Sequence, residues 1–208
     1  MIMMDLGLNK INCYLVKKDT LLTQKQMEEI AALIYDTDPY IYPALFGNKE
    51  NAIRLIPALM LKGDQMFDAQ NLYLAQLKEE IVGLILWKKG KLFWDVKLFE
   101  ETANQLDICL PNDYLLVVQD YIREYEAVED EEISIINVSV NPNFQGKKIG
   151  YQMLVAFLET YEKELLSLYV LKENKGAVHL YEKCGFHIVD EQNGFPFDKN
   201  IRCLKMTR

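Results

Sequence analysis

One segment limits the folds open to this chain more than any other. Ile133 to Val140 is apolar and rich in β-branched residues, the pattern of a strand buried at the centre of a sheet. It ends in Asn141-Pro142-Asn143, a cluster through which no regular element continues. An amphipathic stretch follows from Lys147 to about Lys163. In it Ile149, Met153, Phe157 and Tyr161 form one stripe, widened by Leu154 and Leu158. A buried strand that breaks and feeds directly into a helix leaves the first helical amides without partners, and with the helix dipole they favour an anion. At the junction Gln145-Gly146-Lys147-Lys148-Ile149-Gly150, two glycines allow close backbone approach and two lysines add positive charge. The segment therefore reads as a phosphate or pyrophosphate site, against the plainer reading of an ordinary strand–helix turn. It is neither a Walker P-loop nor a GxGxxG fingerprint.

The rest of the chain supplies a mixed set of elements. Lys10 to Val16 has strand character, with Ile11, Cys13 and Leu15 on one face. Leu21 to Tyr35 has helical spacing, and Thr23 with Gln26 three residues on is a candidate capping box. Asp36 to Gly47 holds Pro39 and Pro43, two acids and three aromatics, so it cannot form one regular helix. A second helix is expected over Lys49 to Met60. Asn71–Leu77 and Ile81–Trp87 read as a hairpin turning at Lys78-Glu79-Glu80. A long connection then carries a helix around Asp95 to Gln105 and another over Tyr114 to Tyr125, with Leu115, Val118, Ile122 and Tyr125 as its stripe. Ala127 to Glu132 is an acidic run, expected to be a solvated loop. After the long helix come a strand at Leu166–Leu171, a helix at Gly176–Lys183, and strands at Phe186–Asp190 and Ile201–Met206. The order predicts an α/β (α+β) fold with a central, partly antiparallel sheet flanked by helices.

Composition narrows the function. The 208 residues suit one domain spanning 1–208. A formal charge of −8 argues against nucleic acid as a partner. No apolar run reaches the ~18–20 residues that span a bilayer, so no membrane association is expected. Met1 to Lys10 lacks the pattern of a secretory signal, so a cytoplasmic location is expected. Cys13, Cys109, Cys184 and Cys203 are scattered, with only His179 and His187 beside them, so no metal site is expected.

Two segments together resemble the GNAT-type N-acetyltransferases. Gln145 to Gly150 is similar to that family's [QR]xxGx[GA] signature after its fourth strand, with Lys148 where the family has its first glycine. Leu168-Tyr169-Val170-Leu171-Lys172-Glu173-Asn174, followed by Ala177, Leu180, Tyr181, Lys183, Gly185 and Phe186, resembles its LxVxxxNxxAxxxYxxxGF segment. The resemblance covers about Glu132 to Met206. It implies a GNAT-like sheet with a helical insert, about 88–130, before the fourth strand. It also implies transfer of an acetyl group from acetyl-CoA to a primary amine of a small molecule or peptide, by direct attack in a ternary complex. A non-catalytic acyl-CoA-binding sensor or partner module is the alternative.

Carried over by position, the resemblance implies that Val138, Ser139 and Val140 lie along the pantetheine arm, with the Val140 amide facing the oxyanion. Gln145, Gly146, Lys147, Lys148, Ile149 and Gly150 would cradle the pyrophosphate, and Asn174 would bond the CoA arm. Tyr181 would protonate the leaving thiolate. Structural alternatives are a helix cap for Asn174, a packed aromatic for Tyr181 and core positions for Val138 and Val140. Ser134 stands where some members carry a basic glutamate. Glu132, two residues away on the same strand face, is the candidate base, against a solvated end of the acidic run. Asp36, Asp38, Tyr40, Tyr42 and Phe46 are candidates for an aromatic, acidic acceptor pocket that would hold an ammonium group. The insert is expected to cover that site or to form a homodimer face.

Overall fold

Caps and glycines set where each element starts and stops. Residues 2–5, 10–91, 93–125 and 128–208 are described in this computed structural model. Its strands are β1 (Ile2–Asp5), β2 (Lys10–Leu15), β3 (Leu72–Leu77), β4 (Glu80–Lys89), β5 (Ile133–Val140), β6 (Leu166–Leu171), β7 (His187–Asn193) and β8 (Arg202–Thr207). Its α-helices are α1 (Gln24–Tyr35), α2 (Ile41–Phe46), α3 (Lys49–Lys62), α4 (Val96–Gln105), α5 (Tyr114–Tyr125), α6 (Ile149–Thr160) and α7 (Lys175–Lys183). The Thr23–Gln26 capping box forms, so α1 starts at Gln24 rather than Leu21, whose side chain is exposed. The proline-rich stretch contributes the single short helix α2, with Gly47 at its end. The β3–β4 turn is tight, with Lys78 at φ 56°.

The strands form one sheet in the order β1-β2-β3-β4-β5-β6-β8-β7. Strand β1, which the sequence pattern did not reveal, pairs antiparallel with β2 at one edge. Alternation along the strands divides the core between two faces. Leu72 and Leu74 of β3 join α1 to α5 on one side, while Tyr73 and Ala75 join α6 and α7 on the other. The insert packs into the first face through Trp94, Phe99, Ala103, Val117 and Val118. Its second helix buries Tyr114, Val117 and Val118 and packs Ile122 against the core, so Val118 and Ile122 of the expected stripe face inward while Leu115 is exposed. Side chains at 124–127 lie outside the described residues, and with them Tyr125 of that stripe and Ala127 of the acidic run. The rest of the run is not uniformly solvated: Glu132 is only 5 % exposed.

Two irregularities in β5 position the site. Leu86 pairs with Asn137 and Trp87 with Ile135, which leaves Ile136 as an extra residue in β5. The bulge shifts the alternation by one. Ile133 and Ile135 face α6, Ile136 faces the opposite side, and Val138 and Val140 face α6 again. The second irregularity is divergence. β5 and β6, the one parallel pair among the described residues, are in register at Ile133–Leu166, Ser134–Ser167 and Ile135–Leu168 and then separate. Beyond that point β5 stays with β4 and β6 stays with β8. A wedge opens between the strands, with the bulge at its apex.

Candidate active site

The wall of the wedge nearest α6 is built from backbone. Asn141 N–H bonds to Val82 O of β4 at 2.9 Å. Main-chain groups alternate along an antiparallel strand, so those of Val140 and Val138 point away from β4, into the wedge. Gln145 is partly committed there, since its Nε2 donates to Val140 O at 3.1 Å. A short 3-10 turn, Pro142–Phe144, capped by Asn141, leads from β5 into the turn.

The turn itself depends on two left-handed residues. Gly146 has φ +76° and Lys148 has φ 62° and ψ 13°. Lys148 is the N-cap of α6, so the helix begins at Ile149 rather than Lys147, and it ends at Thr160 rather than near Lys163. The position where the resemblance expects glycine is thus one where glycine is favoured, and a lysine occupies it. No side chain caps α6. Gln152 N–H bonds Lys148 O at 3.0 Å, and the amides of Ile149, Gly150 and Tyr151 precede that first helical bond. A methyl group on Gly150 would stand 3.4 Å from Val140 Cγ2 and 3.9 Å from Leu180 Cδ2. The start of the helix thus lies beside β5 and α7, with room for a methyl group but with β5 close behind it. Lys147 and Lys148 are exposed, and Lys147 Nζ lies 4.8 Å above the Phe144 ring.

Asn174 and Tyr181 lie on the same side. Asn174 Oδ1 accepts Ala177 N–H at 3.2 Å and caps α7, and among the described residues its NH2 has no hydrogen-bond partner. Tyr181 belongs to the apolar cluster that includes Val138 and Val140, and its ring meets Phe186 edge-on at 6.0 Å. Burial raises its phenol pKa, with the Cys184 thiol adding to the shift. The phenol therefore keeps its proton at neutral pH.

The opposite wall is polar and belongs to α2, β5 and α5. The bulge turns Asn137 toward this side, and it is buried. Tyr42 O–H donates to Asn137 Oδ1 at 2.7 Å, and Asn137 Nδ2 donates to Thr37 Oγ1 at 2.7 Å. Thr37 O–H in turn donates to Ile34 O at 2.6 Å, so the network is anchored on α1. Burial pushes the Tyr42 phenol pKa up. A cavity of about 70 Å³ lies beside this network, lined by Asp38, Tyr42, Tyr121, Ile136, Asn137 and Tyr169 among others. Tyr169 also borders an open groove of about 730 Å³ between α5 and strands β7 and β8.

The five expected acceptor residues separate. Asp38 and Tyr42 line the cavity. Tyr40 lies at its margin, 5.8 Å from Phe195, and donates to Glu173 at 3.1 Å. Asp36 is exposed and paired with Lys49 at 2.5 Å. Phe46 is fully buried among Tyr42, Phe67 and Phe99, a core residue rather than a pocket wall. The expected base falls outside the wedge. Glu132 is at the opposite end of β5, eight residues before Val140, or ~26 Å along a strand. It is buried with Oε1 lacking a hydrogen-bond partner, and it lines neither the cavity nor the groove. Asn137, Tyr121 and Tyr169 went unrecognised in the sequence. The signal for Asn137 was present, as one amide in an otherwise apolar β-branched run.

A wedge between two diverging central strands, closed at one end by an uncapped helix N-terminus, has the shape and polarity to take an extended ligand that ends in an anion. A family model described as the acetyltransferase (GNAT) family matches residues 53–186, more than half of the chain, and the chain belongs to that family. A curated relative is the mycothiol acetyltransferase of Propionibacterium freudenreichii subsp. shermanii, 32% identical over 68 residues. That match covers 31% of this chain and 22% of the relative, about a fifth of its length. Among solved structures, an N-acetyltransferase from Staphylococcus aureus Mu50 superposes with TM-score 0.62 at 19% identity, covering 90% of this chain and 97% of that one. Arabidopsis thaliana Naa50 in complex with the bisubstrate analogue CoA-Ac-MVNAL gives 0.54 at 18% identity, covering 95% and 97%. At these identities the likeness is one of fold. Among the described residues no helix is long and apolar enough to cross a membrane.

Proposed function

We propose that residues 1–208 act as a single domain that transfers an acetyl group from acetyl-CoA to a primary amine of a small molecule or peptide. The observation that carries this reading is the joining of two features at one place. The wedge offers main-chain groups of Val138 and Val140 to an extended amide-bearing arm. The first turn of α6 offers free amides to a pyrophosphate, with Gly146 and Gly150 clearing the approach. The NH2 of Asn174, at the start of α7, bonds the same arm in this reading. Lys147 and Lys148 contribute charge from the rim.

The chemistry is direct attack within a ternary complex. The amine nitrogen forms a bond to the thioester carbonyl carbon, and the carbon–sulfur bond breaks with its electron pair going to sulfur. Main-chain amides of β5 that face the wedge, that of Val140 among them, stabilise the oxyanion. Tyr181 gives its phenolic proton to the departing sulfur, and burial keeps that proton in place until transfer. The acceptor approaches from the side of α2 and α5, where the insert contributes the wall of the open groove. The placement of Glu132 does not support it as the base.

Release of CoA over a panel of primary amines and short peptides tests the reading. The expected result is acetyl-CoA-dependent turnover with at least one acceptor. Tight acetyl-CoA binding without turnover across the panel would instead indicate a sensor.

A further inference from the structure

We infer that Asp38 is the group that takes the proton from the acceptor amine, an inference that rests on the proposed acetyl transfer. The cavity at the apex of the wedge is bounded by both separating strands, Ile136 and Asn137 on β5 and Tyr169 and Leu171 on β6. A reacting amine must enter there to meet a thioester held along β5. Asp38 is the one charged residue among those lining that cavity, which include no lysine, arginine or histidine.

Its geometry suits the task. Oδ1 accepts the N–H groups of Tyr40 and Ile41, both at 2.7 Å, which fixes the carboxylate against the start of α2. Among the described residues Oδ2 accepts no hydrogen bond, so one oxygen is held and the other is free to accept. Asp38 also stands across the sheet from Tyr181. The base is thus on the acceptor side, where the amine loses its proton, and the acid is on the CoA side, where the sulfur gains one.

The surroundings tune the carboxyl. Burial is the main influence raising its pKa, and the Glu173 carboxylate raises it further, while the two backbone N–H bonds oppose the shift. The other titratable groups facing it are Tyr40 just before α2, Tyr42 on α2, Tyr121 on α5, Tyr169 on β6 and Cys203 on β8, with Asp198 acting on Tyr40 from the β7–β8 connection. Glu173 itself is exposed, accepts Tyr40 O–H, and does not line the cavity.

The protons balance as follows. An acceptor arriving as R–NH3+ gives one proton to Asp38, which later loses it to water. The resulting amine attacks, and its surplus N–H proton replaces the one that Tyr181 passes to sulfur. The sum is one acetamide, one CoA thiol and one released proton.

Asp38→Asn separates the roles, because an asparagine Oδ1 can still cap α2 while the ionisable group is removed. The assay is CoA release with propylamine, spermidine and a short peptide bearing a free amino terminus, each across a pH series. Expected for the variant are kcat at neutral pH lower by ~10²–10⁴-fold, loss of the acid limb of kcat/KM and unchanged acetyl-CoA affinity. A raised KM with wild-type kcat and an intact acid limb overturns the assignment, since that pattern describes an ammonium anchor. Glu173→Gln supplies a second measurement that spares the cap. Removing a like charge lowers the Asp38 pKa, so the acid limb moves to lower pH; a limb that stays in place counts against Asp38. A wild type that neither binds acetyl-CoA nor releases CoA fails at the earlier step and overturns the transfer reading, and Asp38's role with it.

Discussion

Replacing Lys148 by glycine should stabilise the protein. Lys148 holds φ 62° and ψ 13°, the left-handed region, at the first residue before α6. An L-residue there costs ~1–2 kcal/mol relative to the right-handed region. Glycine removes that cost but brings ~0.5–1 kcal/mol of extra backbone entropy in the unfolded chain. The difference favours Lys148→Gly by ~0.5–1 kcal/mol. For a chain of this size that corresponds to a Tm increase of about 1–4 °C. Lys148→Ala is the control, because it removes the same exposed charge and keeps the strained geometry. Calorimetric melting of the three proteins without ligand should place glycine above both lysine and alanine, with those two close together. Equal melting for glycine and alanine would refute the reasoning, since charge rather than backbone geometry would then dominate at this position.

Other substitutions probe the two faces of the sheet. Tyr181→Phe should lower kcat while leaving acetyl-CoA affinity intact, because the ring keeps its contact with Phe186 and loses only its hydroxyl; steady-state kinetics and titration calorimetry check this. Asn137→Ala should cost ~1–3 kcal/mol in denaturant unfolding, since it strips the buried Tyr42 hydroxyl of its acceptor. Phe46→Ala should cost ~3–5 kcal/mol in the same assay, because the ring is packed on three aromatic neighbours in the core.

Much of the fold was legible because it is local. The Thr23 cap, the β3–β4 hairpin, the α6 stripe and the break after Val140 each follow from a few neighbouring residues. The turn at residues 145–150 was legible for the same reason: its glycines and its place between a strand and a helix lie within ten residues. What the sequence hid depends on pairing between distant segments. The extra residue in β5 exists only relative to β4, and it decides that Asn137 faces α2 while Val138 faces α6. The separation of β5 from β6 needs both registers to be known. Glu132 and Ser134 share a strand face, yet the wedge opens only beyond Ile135, so a shared face did not mean a shared cleft. Phe46 and Asp38 come from one short stretch, and the turn of α2 sends one into the core and the other to the cavity. The αL geometry at Lys148 was hidden by the residue itself, because lysine is the wrong type to announce it.

The central claim is that the first turn of α6 holds the pyrophosphate of acetyl-CoA. Its most direct test is calorimetric titration of wild type and Gly150→Glu with acetyl-CoA and with S-acetylpantetheine, which lacks the pyrophosphate. Two or more charge-assisted hydrogen bonds should make wild type prefer acetyl-CoA by about a hundredfold or more. In the variant, a carboxylate and its bulk beside Val140 should abolish that preference, with circular dichroism confirming that the fold persists. A folded variant that still binds acetyl-CoA as tightly as wild type, or a wild type that binds both ligands equally, would contradict the claim.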